Sequence, residues 1–256
     1  MPESALPESA VPESALPESA VPAPAPPAQA LPAAALPAAV LFDMDGTLVD
    51  TEQLWWQTAA EVAEELHHPL TDQDAPEVLG QAVEHTAAHL HRVSGTALSE
   101  AELAARLGDS FAGKVAAETV PRPGALALLA SLRDARVPTA LVSASPRRVV
   151  DLVLSAIGRD WFAVTLAAED TARTKPAPDP YLAAAERLGL DPAACVAVED
   201  TPTGVASASA AGCAVLAVPS TATPMPGGDR ITLLASLEQA DLALLGKITA
   251  APSVRP

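Results

Sequence analysis

Three aspartates fall within ten residues in LFDMDGTLVD, residues 41–50, directly after forty residues that contain none. Asp43 and Asp45 stand two apart where an apolar run ends. Carboxylates this close repel each other and resist burial, so the pair needs a cation or a polar substrate to balance it. Two other apolar runs end in comparable polar groups, Ser143-Ala144-Ser145 and Glu199-Asp200-Thr201, and the loop after a weaker run carries Thr174-Lys175-Pro176-Ala177-Pro178. The four ends together supply four carboxylates, one lysine and several hydroxyls. Lys175 stands out because the chain has only two other lysines, Lys114 and Lys247.

Such a set suits phosphoryl transfer. Clustered carboxylates hold a hard cation such as Mg2+, which takes a few carboxylates together with water and substrate phosphate. The cation also cancels the repulsion within the cluster. Asp43 can then attack phosphorus and form an aspartyl-phosphate. Asp45, two residues on, can give a proton to the leaving oxygen and recover it. Gly46 permits the tight turn that brings backbone amides to a phosphate. Thr47, Ser143 and the Lys175 ammonium are expected to bind the transferring oxygens and stabilise their charge.

These residues need strands to carry them. AVLF at 39–42, PTALVS at 138–143, CVAVE at 195–199 and CAVLAV at 213–218 read as buried parallel strands, with FAVTLA at 162–167 a weaker one. Helical patterns lie between them, over Gly124–Asp134, Pro146–Ile157, Pro180–Leu188 and Gly204–Ala211. The alternation predicts an α/β fold, a doubly wound, Rossmann-like parallel sheet in which ligands bind beyond the carboxyl ends of the strands. Residues 51–120 break the rhythm: WWQTAAEVAEEL, VEHTAAHLHRV and SEAELAARLGDSFAGKVAAE have helical periodicity and no strand. They read as a small helical domain inserted after the first strand, leaving 38–50 and 121–246 as the core. Residues 247–256 read as a flexible tail. Prolines recur every five residues from Pro2 to Pro37 in PESA-type pentads, which block both helix and ladder, so residues 1–37 are expected to form a disordered, semi-extended arm.

The net charge of −17 argues against nucleic acid or an anionic membrane as the main partner. A phosphorylated substrate must therefore be received by a local site that overrides the global field. No apolar run reaches the length of a membrane span, and the start of the chain lacks the basic and apolar regions of a signal peptide. Cys195 and Cys213 have no metal-binding spacing and read as small core residues in a reducing cytoplasm.

FDMDGTLVD, VSAS, TKPAPDPYLAAAERLG and VAVEDTPTGVASASAAG resemble, in this order, the four motifs of the haloacid dehalogenase-like hydrolase superfamily. The likeness covers about residues 39–220 and is nearest to the β-phosphoglucomutase-like phosphatases, which insert a helical cap after the first strand. It implies a phosphatase with Asp43 as nucleophile and Asp45 as general acid and base. It also implies Mg2+ on Asp43, the Asp45 backbone carbonyl and Asp200, with Glu199 ligating or supporting it, and phosphate on Thr47, Ser143 and Lys175. The substrate is then a small phosphorylated metabolite such as a sugar phosphate, and the protein a cytoplasmic monomer.

The dehalogenases of this superfamily lack the second aspartate, so Asp45 speaks for phosphoryl chemistry. The mutase-like members carry a cap arginine where this chain has Val83, which favours hydrolysis over phosphate shuttling. Members that cleave phosphonates use a cap lysine, and Lys114 lies far from the expected region. A sugar-phosphate mutase remains the alternative enzyme. A phosphate-binding regulator without turnover is the alternative outside catalysis, and Asp45 argues against it. In the cap, Trp55 is expected over the leaving group. Glu84, His85 and His91 are placed at the mouth of the site. His85 and His89, four apart, read as a solvated or lightly packed helix face rather than metal ligands.

Overall fold

The computed structural model describes residues 36–79, 81–220 and 223–250. The pentad arm up to Ala35 and the last six residues lie outside the described residues. Six strands form one sheet: β1 (Ala39–Phe42), β2 (Thr139–Val142), β3 (Val164–Leu166), β4 (Cys195–Glu199), β5 (Ala214–Ala217) and β6 (Ile231–Leu233). Their order is β3-β2-β1-β4-β5-β6, and every pairing is parallel. This is the doubly wound arrangement expected, with β1 at its centre. β6 escaped the sequence reading. It is a three-residue edge strand whose Leu233 faces solvent, so it lacks the apolar run that marks the others.

Alternate residues of β1 serve opposite faces, as a strand's period of two requires. Ala39 and Leu41 pack with Tyr181, Ala184, Val205 and Ala208 from α7 (Asp179–Leu188) and α8 (Pro202–Ala210). Val40 and Phe42 join the opposite cluster, with residues of α5 (Ala125–Asp134), α6 (Arg147–Ile157) and α9 (Leu242–Ala250). Helices therefore cover both faces, which is why these strands read as unbroken apolar runs.

α9 corrects the reading of a flexible tail from residue 247. Leu245 and Ile248, three apart on one helix face, are buried in the core cluster, and the helix continues to Ala250. Gly246 sits within this helix and does not end it.

Between β1 and α5 lie α1 (Thr51–Glu65), α2 (Ala75–Val78), α3 (Val83–Ser94) and α4 (Glu100–Glu118). Trp55, Ala59, Val62, Leu90, Leu103 and Leu107 give this cap its own apolar cluster. α4 starts in a capping box: the Ser99 hydroxyl accepts from the Glu102 N–H, and the Glu102 carboxylate accepts from the Ser99 N–H. Its far end leaves the cap, since Val115 is buried in the sheet's own cluster.

Candidate active site

The polar groups foreseen after β1, β2 and β4 stand where the sheet runs out. β1 is extended by one bond, the Asp43 N–H donating to the Val198 carbonyl at 2.9 Å. The chain then turns sharply, with Gly46 N–H bonded to the Val49 carbonyl at 2.8 Å and Gly46 at φ +81°. Glycine is required here twice over. The left-handed backbone disfavours side chains, and a Cβ would lie 1.9 Å from Asp200 Oδ2. β4 delivers Glu199 and Asp200, and Thr201 then caps α8 by accepting from the Gly204 N–H at 3.1 Å. A Cβ on Gly204 would overlap the Glu199 carboxylate, so that helix also owes its close approach to a glycine.

Lys175 reaches into this group from the loop before α7. Its Nζ lies 2.5 Å from Asp43 Oδ1 and 2.6 Å from Glu199 Oε1, with all three side chains buried. The Tyr181 hydroxyl donates to the same Glu199 oxygen at 2.5 Å. Asp43 Oδ2 is also buried, and among the described residues it has no hydrogen-bond partner. Asp200 accepts from the Ser220 hydroxyl at 2.5 Å and from Thr47 at 3.4 Å. Asp45 turns the other way: its carboxylate accepts from Thr51 at 2.5 Å, Ser145 at 2.8 Å and Ser143 at 3.1 Å.

The electrostatics follow from this crowding. Burial raises the Asp43 carboxyl well above its ordinary range; Lys175 pulls it down, while Glu199, Asp200 and Asp45 push it up. Asp200 is pushed up to about 7, chiefly by burial. Burial works against the Lys175 ammonium, but Asp43 and Glu199 outweigh it and hold the lysine above its usual value. Burial, then Glu199, also drives the Tyr181 phenol upward, so it remains a donor.

Asp43, Glu199 and Asp200 each present a carboxylate oxygen within 4.8 Å of the others. One ammonium balances three carboxylates only in part, and the two uncompensated charges match a divalent cation. Asp43 Oδ2, buried without a partner, is an oxygen such an ion would satisfy. The donor set is all oxygen, which suits a hard cation.

Residues 37–212 match the haloacid dehalogenase-like hydrolase family. The chain belongs to this family. Hexitol phosphatase A of Escherichia coli is 37% identical over 206 residues, 78% of this chain and 91% of that protein. Among solved structures, CbbY from Rhodobacter sphaeroides in complex with phosphate is 27% identical with a TM-score of 0.68, covering 80% of this chain and 96% of that one. A haloacid dehalogenase family hydrolase from Deinococcus radiodurans with bound phosphate and sodium is also 27% identical, with a TM-score of 0.66, covering 84% and 98%. The protein is thus an enzyme of the hydrolase class, and no described helix is long and apolar enough to cross a membrane.

Within this haloacid dehalogenase-like hydrolase the structure gathers Asp43, Lys175, Glu199 and Asp200 into one cluster, ties Thr47 to Asp200, and ties Ser143 to Asp45. Trp55 is engaged by the cap's own packing. That indole is buried in the cap, donates to the Val78 carbonyl at 2.9 Å and meets Phe111 edge to face. Its N–H is thus engaged within the cap, and it lies one helical turn from Thr51 on the same face of α1. Val83 is the first residue of α3 and packs against the cap cluster. His85 lies 2.7 Å from Glu77 on the surface, as a solvated residue should. His89 departs from that reading: it is buried, 2.8 Å from Asp74. The His91 ring nitrogen bonds the Leu98 carbonyl at 2.9 Å.

Sequence reasoning missed Thr51, Tyr181 and Ser220, and named Ser145 without giving it a role. Ser220 follows β5, so the rule that found Ser143 and Ser145 after β2 should have included it. Tyr181 carried a signal of its own as the only tyrosine in the chain.

Proposed function

We propose that the protein hydrolyses a small phosphomonoester, in two steps through a phospho-Asp43 intermediate. The observation that carries this is the division of the Asp43 carboxylate: Lys175 fixes Oδ1, while Oδ2 is left without a partner. One oxygen of this carboxylate attacks phosphorus while the other would face the metal, and the Asp43–phosphorus bond forms as the bond to the alcohol oxygen breaks. Asp45 gives its proton to the departing oxygen. In the second step Asp45 takes a proton from water, the oxygen of that water bonds to phosphorus, and the Asp43–phosphorus bond breaks. The three hydroxyls on Asp45 suit both of its states, because a hydroxyl accepts as readily as it donates. Thr47, Ser143 and Lys175 bind the phosphoryl oxygens. Asp43, the Asp45 backbone carbonyl and Asp200 would hold Mg2+, with Glu199 chiefly fixing Lys175. Bound there, Mg2+ supplies positive charge that draws the phosphate to a nucleophile of its own sign.

The names of hexitol phosphatase A and of CbbY bound to phosphate support this reading. Val83 offers no charge for a second phosphate, which favours hydrolysis over mutase chemistry. A non-catalytic phosphate sensor would have no use for Asp45 beside Asp43.

The test is release of inorganic phosphate from p-nitrophenyl phosphate and a panel of phosphate esters, with Mg2+ and with chelator. Turnover is expected only with the metal. Asp43→Asn should lower kcat by about 10³-fold or more while leaving the fold intact. Absence of Mg2+-dependent turnover across the panel, with folding confirmed, would falsify the phosphatase reading. Retained turnover in Asp43→Asn would overturn the choice of nucleophile.

A further inference from the structure

Ser220 lies three residues past β5, and the pairing of β5 with β4 carries it to the site. Ala217 stands opposite Glu199, and the Val218 N–H donates to the Glu199 carbonyl at 2.7 Å. The chain therefore leaves the sheet alongside Asp200. There the Ser220 hydroxyl donates to Asp200 Oδ2 at 2.5 Å, while Thr47 meets Oδ1 only at 3.4 Å, long for a bond between oxygens. The turn after β1 closes in on the same oxygen: a Cβ on Gly46 would stand 1.9 Å from Asp200 Oδ2 and 3.1 Å from the Ser220 oxygen. One oxygen of Asp200 is thus held between two loops, and the other carries only the weak Thr47 contact.

We infer that Ser220 is a positioning residue for the divalent cation: its hydroxyl fixes the Asp200 carboxylate in the orientation that meets the ion. The inference rests on the assignment of Mg2+ to Asp43 and Asp200, and it adds a residue outside the four sequence motifs. Asp200 needs such a partner more than its neighbours do. Lys175 ties Asp43 and Glu199 together, but among the described residues no lysine, arginine or histidine pairs with Asp200. Asp43 and Glu199 each present an oxygen within 4.8 Å of one of its own, so repulsion turns an unheld Asp200 carboxylate away from them when no ion is bound. Mg2+ demands near-octahedral geometry at short distances, and a carboxylate that must be recovered from another orientation costs affinity. A hydroxyl suits the task, because it donates to the carboxylate without adding a charge that competes with the cation. Partners of this kind, bonded to a ligating group rather than to the metal, govern affinity in metal sites generally.

The test is a Mg2+ titration of the full chain followed by thermal melting, because an ion that binds only the native state raises the midpoint as its concentration grows. Wild type, Ser220→Ala and Ser220→Thr are each measured against their own midpoint in chelator, so a general loss of stability does not enter. Ser220 is half-buried, and its replacement by alanine removes one oxygen without adding bulk. The Mg2+ concentration that gives half of the full rise is expected to increase roughly 10–100-fold in Ser220→Ala. Ser220→Thr keeps the hydroxyl and should return that concentration to within about threefold of wild type. An unchanged Mg2+ dependence in Ser220→Ala overturns the inference, whatever happens to the midpoint in chelator, and leaves the metal on Asp43 and Asp200 standing. A threonine variant as weak as the alanine one overturns it too, since the hydroxyl is then not what matters. A wild-type midpoint that does not respond to Mg2+ at all instead removes the metal assignment, and the inference with it.

Discussion

Asp43 can hold one oxygen ready because other side chains immobilise its surroundings. Lys175 is the centre of that support, placed against both Asp43 and Glu199. Lys175→Met would leave two buried carboxylates without their cation. The variant is expected to lose about 3–5 kcal/mol of stability and roughly 10²–10³ in kcat, read by denaturation and steady-state kinetics. Tyr181→Phe removes one hydrogen bond to a charged group and should cost about 1.5–3 kcal/mol in urea titration. An unchanged midpoint would show that Glu199 does not depend on the phenol. The residues that bear the chemistry were legible because each is a charged or hydroxyl group at the end of an apolar run, where burial has to be compensated. The cap contacts of Trp55 were harder to read. Adjacent indoles on a helix point about 100° apart, and Trp55 shares its face with Ala59 and Val62, which turn toward the cap cluster. Trp56 instead lines a cleft with Gln53 and Leu79. The contacts of Tyr181 and Thr51 cross 18 and six residues of chain, and no local pattern encodes them.

Among the elements, strands with both faces covered announce themselves and edge elements do not. β1 and β5 are apolar at every position, and β2 and β4 at all but Thr139 and Glu199, because helices cover both sides, whereas β6 needs apolar character on one side only. α9 was hidden by Gly246 and by the proline-containing sequence beyond it. Since Leu245 and Ile248 are buried, Leu245→Ala or Ile248→Ala should each destabilise by about 2–5 kcal/mol, measured by chemical denaturation. Changes near zero would restore the view of this segment as a tail. The cap's helices were legible from their periodicity, but its division of labour was not, because the core contact of Val115 depends on how α4 lies against α6.

The molecule as a whole carries a charge of −17 and concentrates several of its carboxylates in a buried site. Asp200 sets a direction for its pH dependence. Its carboxyl is near 3.8 when unperturbed and about 7 in the metal-free fold, so the native state binds this proton more tightly than the unfolded chain does. That contribution is complete below about pH 4 and is lost as pH rises toward 7. Thermal melting of chelated protein should fall across this window more steeply than that of protein with Mg2+, which favours the ionised carboxylate. Superimposable profiles would argue against a metal on Asp200. Every described contact of the site lies between Asp43 and Ser220, so deletion of residues 1–35 is expected to leave kcat and KM within about twofold; a larger loss would bring the arm into the reaction. One feature of the backbone also governs how the halves can move. The chain passes between sheet and cap twice, and the passages are joined: Val49 bridges to Pro121, and the Arg122 N–H donates to the Leu48 carbonyl at 2.8 Å. Two cross-linked connections behave as a door hinge does, leaving one axis of rotation and suppressing twist and slide. Any opening of the cap would then sweep Thr51 along a fixed arc toward or away from Asp45, giving that motion a single coordinate.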